Sequence, residues 1–150
     1  MRIVVGLFFL VFGEYKVFGT QFTLHGGFEG YVNSMLHDGS TYPFMVPVIE
    51  KIILPHAHLA AFLVAYGELL IGLSLILGVF SRLASVFGII LMCGIWFAGG
   101  YPGSHAAFWR YWGASLNWSI FVLCFLALII GNPEERWSLS QIRGSTRRRR

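Results

Sequence analysis

Residues 57–80 read Ala57-His58-Leu59-Ala60-Ala61-Phe62-Leu63-Val64-Ala65-Tyr66-Gly67-Glu68-Leu69-Leu70-Ile71-Gly72-Leu73-Ser74-Leu75-Ile76-Leu77-Gly78-Val79-Phe80. A helix needs about 20 apolar residues to cross a hydrocarbon core about 30 Å thick, and this stretch supplies them with a single acid, Glu68, near its middle. Three further stretches have the same character: about 3–22, interrupted by Glu14 and Lys16, then 83–100, then 113–130 with Asn117 near its start. None alternates apolar and polar residues with period two, as a membrane β-barrel would. The expected fold is all-α, an integral membrane bundle of four transmembrane helices with a long outer loop that carries short interfacial helices. Residues 1–135 form this domain, and 136–150 form a basic tail.

Composition points the same way. Of 150 residues, 56% are hydrophobic and 12% charged, with mean hydropathy +0.68. Soluble domains carry about 25% charged residues, and a small soluble protein could not hide so much apolar surface. Disorder and a disulfide scaffold fail on the same figures, since there are only two cysteines. After Arg2, the first stretch is followed by Glu14-Tyr15-Lys16-Val17-Phe18 rather than a small-residue cleavage site, so it reads as a span and not a cleaved leader.

Lys and Arg set the expected orientation. With four spans both ends lie on one side. That side collects Arg2, Arg82 in the tight turn between the second and third spans, and Arg136, Arg143 and Arg147 to Arg150. The other side has Lys51 and Arg110 against Glu29, Asp38 and Glu50. Both termini are therefore expected in the cytoplasm. Arg82 and the tail residues Arg147, Arg148, Arg149 and Arg150 are candidates for docking anionic lipid headgroups or a partner's acidic surface. No nucleic-acid recognition module accompanies them, so nucleic acid is not an expected partner.

Between Thr23 and His56 the outer loop is patterned. Gly26-Gly27 and Gly39-Ser40 mark turns, and Phe28, Tyr31, Val32, Met35 and Leu36 recur at helical spacing. The segment Phe44 to Pro55 is apolar but too short to span, and is expected on the membrane surface or as a re-entrant piece. Trp96, Trp109, Trp112 and Trp118 gather near the outer boundary and Trp137 near the inner one, as an aromatic belt. Small residues four apart (Ala57, Ala61 and Ala65; Ser74 and Gly78; Ala84 and Gly88) permit close helix approach.

Charged residues within spans are costly, so Glu14, Lys16 and Glu68 are the candidate site residues. Antiparallel first and second spans bring Glu14 and Glu68 to similar depth, with Lys16 about 3 Å nearer the outside. A carboxylate there is a candidate proton acceptor, for instance beside a quinone bound near Lys16 and Glu68. The structural alternative is an ion pair that locks two helices together. Residues i and i+2 point about 200° apart on a helix, so at most one of Glu14 and Lys16 faces the second span. His25, His37, His56, His58 and His105 all fall on the outer side. His56 and His58 are weak metal-ligand candidates because no acid or thiolate completes a set. Cys93 and Cys124 form no C-x-x-C and read as packing residues.

The residues Leu54-Pro55-His56, the run Gly67 to Ser85 with Glu68 and Arg82, and Gly13-Glu14-Tyr15-Lys16 in the first span resemble the DoxX family over about residues 1–95. The resemblance implies a prokaryotic four-helix protein of the cytoplasmic (inner) membrane, often tied to redox systems; a related group, DoxD, supplies a subunit of a thiosulfate:quinone oxidoreductase. Glu68, Arg82 and Lys16 are the polar positions that match. The expected function is an auxiliary or quinone-associated subunit of a membrane redox complex, with other membrane subunits or further copies of itself as partners. The alternatives are a structural or assembly subunit without chemistry, or a catalytic thiosulfate:quinone oxidoreductase-like subunit. No flavin or nucleotide motif, haem ligand pair or reactive thiol pair is visible, so no intrinsic cofactor is expected. A small transporter would need more polar groups along the bundle than these three.

Overall fold

The computed structural model describes residues 1–113 and 116–131, and among them there are helices and turns but no strand. The basic tail with Arg147 to Arg150, and Trp137, lie outside the described residues.

The first helix, α1 (Arg2–Phe18), is apolar from Ile3 to Gly13, between Arg2 at its start and Glu14 and Lys16 near its end. It stops at Phe18, short of the expected 22, because the chain turns at Gly19 and Thr20, which takes a left-handed φ of 41°. Gly26 (φ 74°) then starts α2 (Gly27–His37). Of the stripe Phe28, Tyr31, Val32, Met35 and Leu36, the fold buries Phe28, Val32 and Met35, partly buries Leu36 and leaves Tyr31 exposed.

The segment expected to lie apart on the surface is instead the start of the second long helix. α3 (Val46–Val48), a π turn (Ile49–Ile53), a 3₁₀ turn (Leu54–His56) and α4 (Ala57–Leu77) run on without a break as one 32-residue helix, Val46–Leu77. Both prolines fit. Pro47 sits in the first turn, where no N–H partner is needed. Pro55 cannot donate to the preceding turn, and the chain widens into the π turn just before it. His56 Nδ1 donates to the Ile52 carbonyl at 3.1 Å, engaging a carbonyl of the disturbed turn.

α4 ends in a Schellman turn. Gly78 is left-handed (φ 69°), its N–H and that of Val79 both reach the Ser74 carbonyl, and the Ser74 hydroxyl donates to the Val79 carbonyl. The chain reverses at Phe80 into α5 (Ser81–Gly99), followed by the short α6 (Arg110–Gly113) and by α7 (Leu116–Ile130).

Two of these helices, Val46–Leu77 and Ser81–Gly99, are long and apolar enough to cross a membrane. They are not core helices of a soluble fold: only 33% and 22% of their most apolar windows are buried. Leu63, Leu70, Phe87 and Ile90 stand more than half exposed instead. Such faces are stable only against lipid or another protein. α1 and α7, with 17 and 15 residues, are shorter.

Packing follows the small residues. α1 runs antiparallel to α4, with Gly6 beside Gly72, Leu75 and Ile76, and Gly13 against Leu69. A Cβ on Gly13 would lie 2.5 Å from the Leu69 nitrogen, and one on Gly72 would lie 2.5 Å from the Leu10 nitrogen, so the two backbones touch through glycine. α5 meets α7 where Gly88 takes the Phe125 ring. The main core joins Val5 and Phe9 of α1, Ile71 and Leu75 of α4, Ala84 and Met92 of α5, and Phe125 and Leu128 of α7. A second cluster seats α2 on the first half of the Val46–Leu77 helix through Phe28, Val32, Ile49 and Ala61.

At the far end of α5 the loop after α2 is tied down by Thr41 Oγ1 donating to Ala98 O (2.7 Å), Tyr42 N to Phe97 O (3.0 Å) and Tyr101 N to Ser40 O (2.7 Å). The rings of Tyr42, Phe44, Phe97, Tyr101 and Tyr111 cluster over these bonds. Trp96 and Trp112 meet edge to face nearby, at 5.3 Å.

Candidate functional site: a charged pair at the end of an apolar cavity

The glycine seam sets the site. Gly13 presses α1 against Leu69, and Lys16, three residues on and on the same side of α1, is thereby delivered to Glu68. Lys16 Nζ donates to Glu68 Oε1 at 2.6 Å. Glu68 is 2% exposed, while Lys16 is 22% exposed. The ammonium also lies 5.1 Å from the centre of the Phe22 ring, whose π face favours a cation. The other carboxylate oxygen, Oε2, is shielded and has no hydrogen-bond partner. A shielded oxygen of this kind costs free energy until a donor arrives.

Of the three charged residues singled out from the sequence, two come together. Glu14 is exposed on another side of α1 and makes no contact with Glu68. The 200° separation from Lys16 is the reason.

Beside the pair lies a cavity of about 1290 Å³. Val4, Phe8 and Phe12 of α1 form one wall, and Trp118, Phe121 and Cys124 of α7 another. Lys16 and Glu68 stand at one end with Phe22 and Tyr31, and Met1 marks the other. The distance between those ends along α1 is about 22 Å at 1.5 Å per residue. Phe121 stacks edge-on to Phe8, Phe9 and Phe12 at 6.0, 5.5 and 6.3 Å, so rings form much of the lining. Burial pushes the Tyr31 phenol above its ordinary pKa of 10.0, which keeps its hydroxyl a donor at neutral pH. The cavity is therefore apolar and aromatic along its length and polar at one end, the form of a site for an amphiphile.

Phe22, Tyr31 and Phe121 escaped the sequence reading. In the sequence Phe22 ends the first apolar stretch and Tyr31 belongs to the interfacial stripe of the outer loop, and nothing in the spacing points Phe121 toward α1.

The remaining candidates lie elsewhere. His56 and His58 are exposed, and each Nδ1 engages a main-chain carbonyl, Ile52 O and Thr23 O. No group of three His, Cys, Asp or Glu residues suited to a metal occurs among the described residues. Cys93 and Cys124 are free thiols. Arg82 is exposed at the start of α5, away from the pair. Arg2, counted in the sequence only as an orientation marker, is buried with its guanidinium against Gly78. A cation there faces the negative end of the α4 dipole.

The DoxX family model matches residues 1–100, a range that includes α1, α4, α5, Lys16, Glu68 and Arg82. Neither a curated protein nor a solved structure matches the chain. With two-thirds of its length so matched, the chain belongs to the DoxX family.

Proposed function

We propose that this DoxX-family protein is a four-span protein of a prokaryotic cytoplasmic membrane and acts as an auxiliary, quinone-associated subunit of a membrane redox complex. The observation that carries the reading is the Lys16–Glu68 pair, set at the polar end of an aromatic cavity about 1290 Å³ in volume. A flat, apolar ring system on a long tail suits that cavity, with the tail toward Met1 and the head against the pair. The protein's own part is binding and positioning; electrons come from a partner subunit. In this reading both termini face the cytoplasm, and Arg82 and Arg147 to Arg150 meet anionic headgroups there.

Solvent extraction of the protein purified in mild detergent tests the reading. A lipid-soluble quinone should accompany the protein in near-stoichiometric amount and be lost from Lys16→Met. An extract of phospholipid alone would end it.

A second reading, a subunit that only organises a complex, is favoured by one observation: the pair also joins α1 to α4. In that case Lys16→Met would lower stability and leave quinone content unchanged.

A further inference from the structure

We infer that the cavity meets two solvents, lipid along its length and water only at the Lys16–Glu68 end, so that a bound head exchanges protons with the side of α2 and not with the side of Met1. This sidedness rests on the quinone reading above and deepens it.

Exposure along the lining changes character from one end to the other. Val4, Phe8 and Phe12 of α1 and Ile120 of α7 line the cavity and are each about half exposed. In the four-span reading hydrocarbon covers these apolar side chains, and the gap between α1 and α7 is a lateral opening for a lipid-soluble ligand. At the other end the exposed lining is Gly19, Gln21, Gly27 and Tyr31, from the turn after α1 and from α2. The main chain of a turn, an amide and a phenol need water or a polar partner and are not stable against lipid. Lys16 is 22% exposed beside them, and a lysine near a helix end reaches for water in this way.

Toward Met1 the lining carries no relay. Val4 to Phe12 cover about 12 Å of α1 at 1.5 Å per residue, and Met92, Phe121 and Cys124 line the same cavity from α5 and α7. Among the described lining residues of that stretch, the Cys124 thiol is the one side chain with a proton to give, and it is a weak donor. Proton paths through a membrane are built from chains of Asp, Glu or His, and one thiol is not a chain. Reduction of a bound quinone takes two electrons, from the partner subunit, and two protons, one on each carbonyl oxygen. Those protons come from the water beside Gln21, Gly27 and Tyr31, and oxidation of the quinol returns them there.

Spin-label accessibility in the full chain tests this. With Cys93 and Cys124 replaced by serine, a nitroxide is placed through Tyr31→Cys, Val64→Cys, Val4→Cys or Ile120→Cys, and the protein is set in nanodiscs. Val64 lines the cavity one turn before Glu68 in α4, on the side of α2. Relaxation by oxygen, which enters lipid, is compared with relaxation by a water-soluble nickel chelate. Hydrocarbon excludes the polar chelate, so the nickel-to-oxygen ratio should fall at least about tenfold from Tyr31 and Val64 to Val4 and Ile120. High ratios at all four positions would mean water along the whole cavity and would overturn the sidedness. Low ratios at Tyr31 and Val64 would close the aqueous mouth and overturn it equally. Tyr31 and Val4 are exposed and tolerate replacement, so that pair decides even where Val64→Cys folds poorly. Added decylubiquinone should shield the Val64 label from the chelate. Ratios as expected without that shielding leave the aqueous mouth standing and end the quinone reading.

Discussion

Lys16 and Glu68 are 52 positions apart and meet at 2.6 Å, whereas Glu14, two residues from Lys16 on the same helix, is exposed to the outside. The contact is made by rotation of α1 about its axis, which the glycine seam fixes. Gly13 and Gly72 admit the opposing backbones, and with that face committed only Lys16 can reach Glu68.

Because the pair is buried, its partners should not be equivalent in cost. Lys16→Met leaves the Glu68 carboxylate without its cation and should cost roughly 3 kcal/mol. Glu68→Gln leaves an ammonium that reaches partly exposed space and should cost about 1 kcal/mol. The double substitution should recover much of the Lys16→Met loss, and Glu14→Gln should change little. Denaturant unfolding in mild detergent measures all four.

The seam predicts opposite outcomes for two glycines five residues apart in α4. Gly72→Ala puts a methyl 2.5 Å from the Leu10 nitrogen and should destabilise by about 1–3 kcal/mol. Gly67→Ala meets nothing within 4 Å and should be neutral or stabilising by up to about 1 kcal/mol. Thermal melts of the two proteins should move in opposite directions or separate clearly.

At the other end of α4, Gly78 does two jobs. Its φ of 69° is unfavourable for other residues, and its missing side chain leaves room for the Arg2 guanidinium. Gly78→Ala should therefore cost about 1–2 kcal/mol from backbone strain alone. Shortening Arg2 in the Arg2→Ala background should relieve only the steric share. The difference between Gly78→Ala melts with and without Arg2 isolates it.

Tyr42 makes a prediction in pH. Burial, and then the neighbouring Tyr111 and Tyr101 phenols, raise its pKa above the ordinary 10.0. The folded protein thus holds this proton more tightly than the unfolded chain. The stability involved is fully present below pH 10.0 and is lost as pH rises beyond it toward the folded value. Tyr42→Phe should flatten the alkaline fall in melting temperature between about pH 9.5 and pH 11.

Orientation can be checked at Gly30, which is exposed on α2 with nothing within 4 Å. With Cys93 and Cys124 replaced by serine, Gly30→Cys should react in whole cells with a membrane-impermeant maleimide. A cysteine added after Arg150 should react only once the membrane is opened. The reverse pattern would invert the orientation inferred from Lys and Arg.

The apolar runs, the all-helical class, the family and the suspicion falling on Lys16 and Glu68 were legible in the chain itself. Each depends on counts and spacings within one segment: length against a hydrocarbon thickness, the cost of a charge in it, the 100° step of a helix. The same step limited Glu14 and Lys16 to one inward residue without saying which. That choice belongs to the tertiary structure, because the rotation and register of α1 are set by Gly13 on Leu69 and Gly72 on Leu10, contacts between residues far apart in sequence. For the same reason only the folded chain joins Val46–Leu77 into one helix and brings Phe22, Tyr31 and Phe121 to the lining of the cavity beside the pair. Local periodicity fixes what a helix can present; packing against the other helices decides what it does present, and so where the cavity lies.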